Sequence, residues 1–342
     1  MFHATDEQLP EYLLETMRNS AQIETYLGMT VVVSSEPMRD LMRRVQRVAQ
    51  TSAAVIILGE SGSGKEVIAR ALHHHSLRTA KPWVDVNCAA LPDHLVESEL
   101  FGYEKGAFSG AETGKQGLFE LANSGTIYMD EVGELDAKAQ AKLLRVLDGV
   151  PYYRIGGTKK VTVDVRVLAA TNQNLGAMIR DGRFRGDLFH RISQVSLQVP
   201  PLRERRADIL PLAEFFLAKQ SPGLRLSPQA ERALENYAWP GNVRELRNLV
   251  TRAAVFTDSH EIQAADLALP INTEPGGPPG DFVCNLEELE KRTILRVLKQ
   301  TSGHQQRAAD ILGISVRTLS RKLAAYETER DHAYSANLAQ GH

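Results

Sequence analysis

Apolar residues along the chain fall into two patterns. Between residues 38 and 48 they recur at helical spacing (Met38, Leu41, Met42, Val45, Val48), which predicts an amphipathic helix. Residues 53–58 (A-A-V-I-I-L) are instead a short unbroken apolar run, as a strand buried on both faces requires. Similar runs recur at 83–86, 126–129 and 163–169, with helical stretches such as 67–75 and 137–147 between them. Strands alternating with helices predict an α/β domain with a parallel sheet. From residue 208 to about 269 the pattern is helical throughout, with no strand, which predicts a smaller all-helical subdomain. Residues 270–280 (P-I-N-T-E-P-G-G-P-P-G) deny helix and sheet alike and read as a linker. Beyond it, 286–299 and 305–326 are helical and 327–342 is a polar tail. Residues 1–30 are mixed and too short for a sensory domain, and no internal repeat is present.

A length of 342 residues suits two to three domains at about 150 residues each. Hydrophobic residues make up 43% and charged ones 24%, which excludes a collagenous, low-complexity or wholly disordered chain. Lysine and arginine number 40 against 42 acids, so any basic surface for nucleic acid must be local. Cys88 and Cys284 are the only cysteines, far apart in sequence; they make no zinc cluster or disulfide framework and fit a reducing cytosol. No run approaches the roughly twenty apolar residues of a membrane helix. The opening M-F-H-A-T-D-E lacks the order of a signal peptide, so a cytoplasmic protein without a membrane partner is expected.

The run Gly59-Glu60-Ser61-Gly62-Ser63-Gly64-Lys65-Glu66 lies between an apolar strand and a helix, the setting of a phosphate-binding P-loop. Glycines let the backbone amides turn toward phosphate oxygens, and the following helix adds its positive end. Lys65 supplies a point charge for the β- and γ-phosphates. Glu66 stands where a Ser or Thr hydroxyl normally meets magnesium, either to bind the metal through water or to cap the helix. Downstream, Thr126-Ile127-Tyr128-Met129-Asp130-Glu131 is a hydrophobic strand ending in two acids. Asp130 suits magnesium and Glu131 suits polarising the attacking water, so hydrolysis of ATP to ADP and phosphate is expected.

Three further segments carry candidate chemistry. Gly106-Ala107-Phe108-Ser109-Gly110-Ala111 reads either as a mobile loop tip with one hydrophobic contact or as a tight turn whose Phe108 packs home. Near the C-terminus, 305–312 and 316–323 read as two helices joined at Gly313, with Ser315 capping the second. Leu319 and Leu323 face a core, while Arg317, Thr318, Ser320, Arg321 and Lys322 lie on the other faces, as in a helix laid in the major groove; a surface helical hairpin has the same pattern. Leu286, Leu289, Ile294 and Leu298 suggest a dimerising face. His73, His74 and His75 cannot converge on one metal, because consecutive helical residues point about 100° apart.

Taken together, G-E-S-G-S-G-K-E (59–66), V-N-C-A-A (86–90), E-S-E-L-F-G (97–102), G-A-F-S-G-A (106–111), D-E-V-G-E-L (130–135), A-A-T-N (169–172), F-R-G-D-L-F-H-R (184–191), P-P-L-R-E-R (200–205) and W-P-G-N-V-R-E-L (239–246) make the chain resemble the bacterial enhancer-binding proteins, AAA+ activators of sigma-54 RNA polymerase. The resemblance runs over about 33–269 and resumes over 286–323. It implies an AAA+ ATPase core over 31–206, a helical lid over 207–269, a linker over 270–284 and a Fis-type helix-turn-helix over 285–326. By resemblance, Asn87 is the switch residue that holds Glu131, Thr171 and Asn172 form the γ-phosphate sensor, and Arg185 and Arg191 are fingers reaching into a neighbour's site. Arg244 is the second sensor, in the lid. The loop 106–111 implies contact with sigma-54, with Ser109 where the family has threonine, supported by a second loop around 132–155. The short N-terminus looks like members without a sensory domain, leaving control to a regulatory partner protein, a paralogous subunit or expression level. The implied partners are sigma-54 holoenzyme, double-stranded upstream DNA and copies of itself in a hexamer, with ATP and magnesium as cofactors. Two readings compete: a DNA-binding regulator whose ATPase does not act on sigma-54, and an AAA+ remodeller of other proteins.

Overall fold

The computed structural model describes residues 21–257, 259–269, 294, 304–307, 319 and 322–323. The chain divides into two compact units between Ile271 and Asn272.

The first unit opens with an antiparallel hairpin, β1 (Gln22–Tyr26) and β2 (Met29–Val33). Its two-residue turn, Leu27-Gly28, has positive φ at both positions (47° and 76°), the backbone twist that suits a tight hairpin. A boundary at residue 30 therefore cuts a strand. The hairpin is silent in the pattern because β1 is mostly exposed and carries no apolar alternation. Helix α1 (Glu36–Ala49) follows, capped by the Ser35 hydroxyl, which accepts from the Met38 amide at 3.4 Å, and burying Met38, Leu41, Met42, Val45 and Ala49.

Then come β3 (Val55–Leu58), α2 (Lys65–His74), β4 (Trp83–Asn87), α3 (Asp93–Phe101), β5 (Thr126–Asp130) and α4 (Ala137–Leu147). Helix α2 begins at Lys65, two residues before the apolar pattern does. After a small hairpin, β6 (Tyr152–Tyr153) and β7 (Lys160–Val161), the chain forms β8 (Arg166–Thr171), α5 (Gly186–Ile192) and β9 (Val195–Gln198). The expected strand at 163–169 is displaced to 166–171, and β9 escapes the pattern because its alternate residues are exposed.

Five strands form one parallel sheet in the order β4-β5-β8-β3-β9. Successive residues point to opposite faces. Ile56, Ile127, Met129, Val167 and Ala169 join the core that includes α3, α4 and α5. Val55, Ile57, Tyr128, Leu168 and Ala170 join the core with α1 and α2. Because β3 lies between two strands that come much later in the chain, the loops after β3, β5 and β8 gather at one sheet edge, where ligands of open α/β sheets bind.

The rest of the first unit holds α6 (Ile209–Gln220), α7 (Pro228–Asn236) and α8 (Asn242–Phe256). It is not wholly helical, as the sequence implied: β10 (Arg225–Leu226) and β11 (Glu261–Ile262) pair in parallel. Two residues are too few for a strand period to register. A separate core of Leu212, Phe215, Leu234, Trp239, Leu246 and Val250 holds this part together. Trp239 is fully buried and its indole N–H donates to the Leu234 carbonyl at 2.9 Å.

In the second unit Ile294 and Leu319 are helical and buried, and 305–307, Lys322 and Leu323 are helical. Leu319 thus faces a core as expected. Arg317, Thr318, Ser320 and Arg321 lie outside the described residues, as do Leu286, Leu289 and Leu298. No helix among the described residues is long and apolar enough to cross a membrane.

Candidate nucleotide site and loop tip

The loop after β3 lines a cleft of about 320 Å³ with Asp130 and Glu131 from the end of β5. Met29, Val31, Val32, Met38, Leu212 and Phe216 supply an apolar side, and Arg244, Arg247 and Asn248 close it from α8. The cleft fits a nucleotide: an apolar wall for a base and a glycine loop with a lysine for phosphates. Gly64 begins α2 with φ 103° and no side-chain cap, so the first turn of α2 is available to an anion. Ser63 Oγ is buried without a partner at this loop.

Lys65 Nζ donates to the carbonyl oxygens of Gly59 (3.1 Å) and Glu60 (3.4 Å) and lies 3.6 Å from Glu131 Oε1. Glu131 itself stands in the left-handed region, φ 51°, a conformation rare for a non-glycine residue. Its Oε2 accepts from the Asn172 amide at 3.2 Å and from the Thr171 hydroxyl at 3.4 Å. Lys65, Glu131, Thr171 and Asn172 are therefore brought together. Asp130 is half-buried, and burial, with the neighbouring Glu131 charge, pushes its carboxyl pKa up against the lowering effect of Lys65. A divalent cation at Asp130 would relieve that burden, so the acid pair fits magnesium.

Three expected residues behave differently from the motif alone. The Glu60 carboxylate is held by both terminal nitrogens of Arg203 (2.8 and 2.6 Å) and by Asn242, and Arg203 in first place draws its pKa down. Its part in the cleft is thus its peptide. Glu66 pairs with Arg70 one turn on, at 2.7 Å. Asn87 lies beside Asp130 in the sheet register, but its Oδ1 accepts from the Ala89 amide at 2.9 Å and makes no bond to Glu131.

Residues that the motif reading passed over lie behind the loop. Arg205 is buried and donates to the Ser63 carbonyl; burial pushes its pKa down to about 10, so it keeps its charge at neutral pH. Asp208, 4.0 Å from Arg205, accepts from the amides of Ser34 and Ser35 at 2.6 Å each and from the Ser35 hydroxyl at 2.7 Å. The runs P-P-L-R-E-R and W-P-G-N-V-R-E-L contain Arg203, Arg205 and Asn242, and are the signal that could have found them. Arg244 Nη1 donates to Ser61 Oγ at 3.0 Å.

Neither Arg185 nor Arg191 lines the cleft. Arg185 pairs with Asp187 at 2.7 Å and Arg191 with Asp148 at 3.0 Å, and their side chains are 48% and 44% exposed. Asp148 thus has a charged partner that its own stretch of sequence does not reveal.

At Gly106–Ala111 the turn is closed by the Gly106 amide on the Ala111 carbonyl (2.8 Å) and the Ala111 amide on the Phe108 carbonyl (3.0 Å). Phe108 is 44% exposed with its ring 4.9 Å from that of Tyr103, so it is neither packed home nor free. The loop's base is tied to the second loop: the Glu104 amide donates to Ile155 O and the Ile155 amide to Gly102 O, each at 3.0 Å. Arg154 bridges Glu104 (3.0 Å) and Glu120 (2.6 Å).

Comparison with known proteins places these features. Residues 31–198 match the sigma-54 interaction domain, 203–278 the AAA+ ATPase lid domain, and 285–326 the bacterial regulatory protein, Fis family. The chain is 45% identical over 311 residues to the regulatory protein AtoC of Escherichia coli (strain K12), covering 86% of this chain and 67% of that protein. It is 41% identical over 324 residues to the DNA-binding transcriptional regulator NtrC of Klebsiella pneumoniae, covering 86% and 69%. The crystal structure of NtrX from Brucella abortus in complex with ATP matches with a TM-score of 0.69 and 39% identity, over 86% of this chain and 68% of that one. The chain thus spans about two thirds of the length of these relatives. With the P-loop, the paired acids, the exposed loop and the three domain matches in one polypeptide, the chain belongs to the sigma-54-dependent transcriptional activators, ATP-binding AAA+ ATPases that carry a Fis-type DNA-binding domain.

Proposed function

We propose that this activator hydrolyses ATP at a site completed by a second copy of the chain and uses the released energy to press the 106–111 loop against sigma-54, opening the promoter complex. The phosphates lie on Gly59–Lys65 and the start of α2, with Ser61, Gly62, Ser63, Gly64 and Glu66 shaping the loop. Asp130 would hold magnesium, which would supply positive charge to offset that of the phosphate oxygens. Glu131 polarises the attacking water, and Thr171 and Asn172, touching its carboxylate, report the γ-phosphate. Arg244 carries nucleotide state to the lid, and Asn87, beside Asp130, takes the switch role once the γ-phosphate displaces Glu131 from the Thr171 and Asn172 donors.

Arg185 and Arg191 act in a neighbour. Phosphoryl transfer spreads charge over equatorial oxygens, so a guanidinium supplied by a second protomer makes hydrolysis depend on assembly. Their exposure and their absence from the cleft lining support that role, with the ring a hexamer. Residues 285–326 bind upstream double-stranded DNA through Arg317, Thr318, Ser320, Arg321 and Lys322, in the cytoplasm, under the control of a partner protein or of expression.

The observation that carries the reading is the convergence on Glu131 of Lys65, Thr171 and Asn172. The test is open-complex formation on a sigma-54 promoter with ATP. Phe108→Ala should reduce it more than about tenfold while hydrolysis persists. Activation of a promoter read by another sigma factor, with hydrolysis required, would overturn the reading in favour of a regulator whose ATPase serves another end.

A further inference from the structure

We propose that Asn242 is a positioning residue for ATP hydrolysis: a buried amide that pins the start of the lid helix α8 to the phosphate loop. Three segments far apart in sequence meet on this one side chain. Its Oδ1 accepts from the Leu202 amide at 2.7 Å, and its Nδ2 donates to Glu60 Oε2 at 3.0 Å and to the Ser61 carbonyl at 3.1 Å. Asn242 is fully buried and held at φ 55°, a left-handed conformation that asparagine tolerates better than other side chains.

The next two residues act in the same direction. The Val243 amide donates to the Gly62 carbonyl at 3.0 Å, and Arg244 reaches Ser61 Oγ. Three consecutive lid residues therefore hold three consecutive loop residues, and Arg203 closes the set by clamping Glu60. The approach leaves no slack: a Cβ on Gly62, whose φ is 72°, would lie 2.5 Å from the Gly241 carbonyl oxygen. A loop that shifts on meeting phosphate must drag the start of α8 with it, through buried hydrogen bonds whose loss leaves polar groups unpaired. Arg244 thus shares the coupling between nucleotide and lid with the Val243 amide and with Asn242, whose side chain is the buried one.

The inference rests on the cleft being the ATP site. Its test is a double-mutant cycle on the full chain, read by ATPase kinetics and by the affinity of a fluorescent ADP analogue. Asn242→Asp keeps shape and the bond from Leu202 but turns a carboxylate onto Glu60. Its KM for ATP should rise about tenfold, measured below a thermal midpoint that the added buried charge lowers. Adding Glu60→Gln restores the net charge of the cluster and removes the carboxylate repulsion, although one Arg203 bond and the donor to the Ser61 carbonyl stay lost, so the double variant should recover at least about threefold in KM relative to Asn242→Asp. Effects that simply add, or a KM for Asn242→Asp within about twofold of wild type, overturn the inference. Should Asn242→Asp not fold, Asn242→Gly, which keeps the left-handed backbone, must show the raised KM or the inference fails. A wild-type chain that binds no nucleotide would instead sink the ATP site itself, a distinguishable outcome.

Discussion

In the proposed mechanism Glu131 is the residue on which the chemistry turns, and its contacts with Lys65, Thr171 and Asn172 set what a substitution there should do. Replacing its carboxylate by an amide keeps the shape near Lys65 and Asn172 but removes the group that polarises water. Glu131→Gln should lower kcat at least about a hundredfold while nucleotide affinity changes little, measured by turnover and by equilibrium binding. Asp130 makes a second prediction. Its folded-state pKa lies above the unfolded one, because burial and Glu131 disfavour its charge. The folded chain therefore binds more protons there than the unfolded chain, and the stability from this group is present at acid pH and lost as pH rises through the folded value. At neutral pH the bare charge is a burden, so Asp130→Asn should raise the thermal midpoint by about 2 °C while abolishing hydrolysis. A lower midpoint would contradict the electrostatics. Lys65, Asp130 and Glu131 were legible because one short segment carries each motif and its strand. Arg205 and Asn242 were not: their partners Ser63 and Ser61 lie 142 and 181 residues away in the chain. Only folding makes those pairs.

At the scale of elements, the 106–111 loop is a small turn on a braced base. Glu104 and Gly102 bond to Ile155, and Arg154 spans the two loops, so a push from the sheet edge can reach the tip. Phe108 contributes to no core cluster, so Phe108→Ala should leave hydrolysis within about twofold and reduce open complexes more than about tenfold, since an exposed anchor acts in binding rather than in folding. Gly62 is the opposite case, an element contact without tolerance. Gly62→Ala forces a Cβ against the Gly241 carbonyl at positive φ and should destabilise the first unit by about 1–3 kcal/mol, read as a lower denaturant midpoint. The parallel sheet was legible from β3, β5 and β8, whose unbroken apolar runs demand burial on two faces. The β1–β2 hairpin, β9 and the β10–β11 pair were not, because exposed or two-residue strands leave no period to read.

At the scale of the whole molecule, a formal charge of −2 means that DNA affinity must be local, and the second unit is where the sequence puts it. Deleting 281–342 should abolish binding to upstream DNA in a mobility-shift assay and leave the midpoint of the first unit, a compact body on its own, unchanged. The central claim is that each ATP site draws its arginine from another copy of the chain. The most direct measurement mixes two inactive proteins, Glu131→Gln, with intact fingers, and a chain carrying both Arg185→Ala and Arg191→Ala, with an intact cleft. If the site is shared, the mixture hydrolyses ATP although neither protein does alone, because some interfaces pair a good Glu131 with good arginines. A mixture as inactive as its parts, at concentrations where the wild-type chain assembles and turns over, would contradict the account.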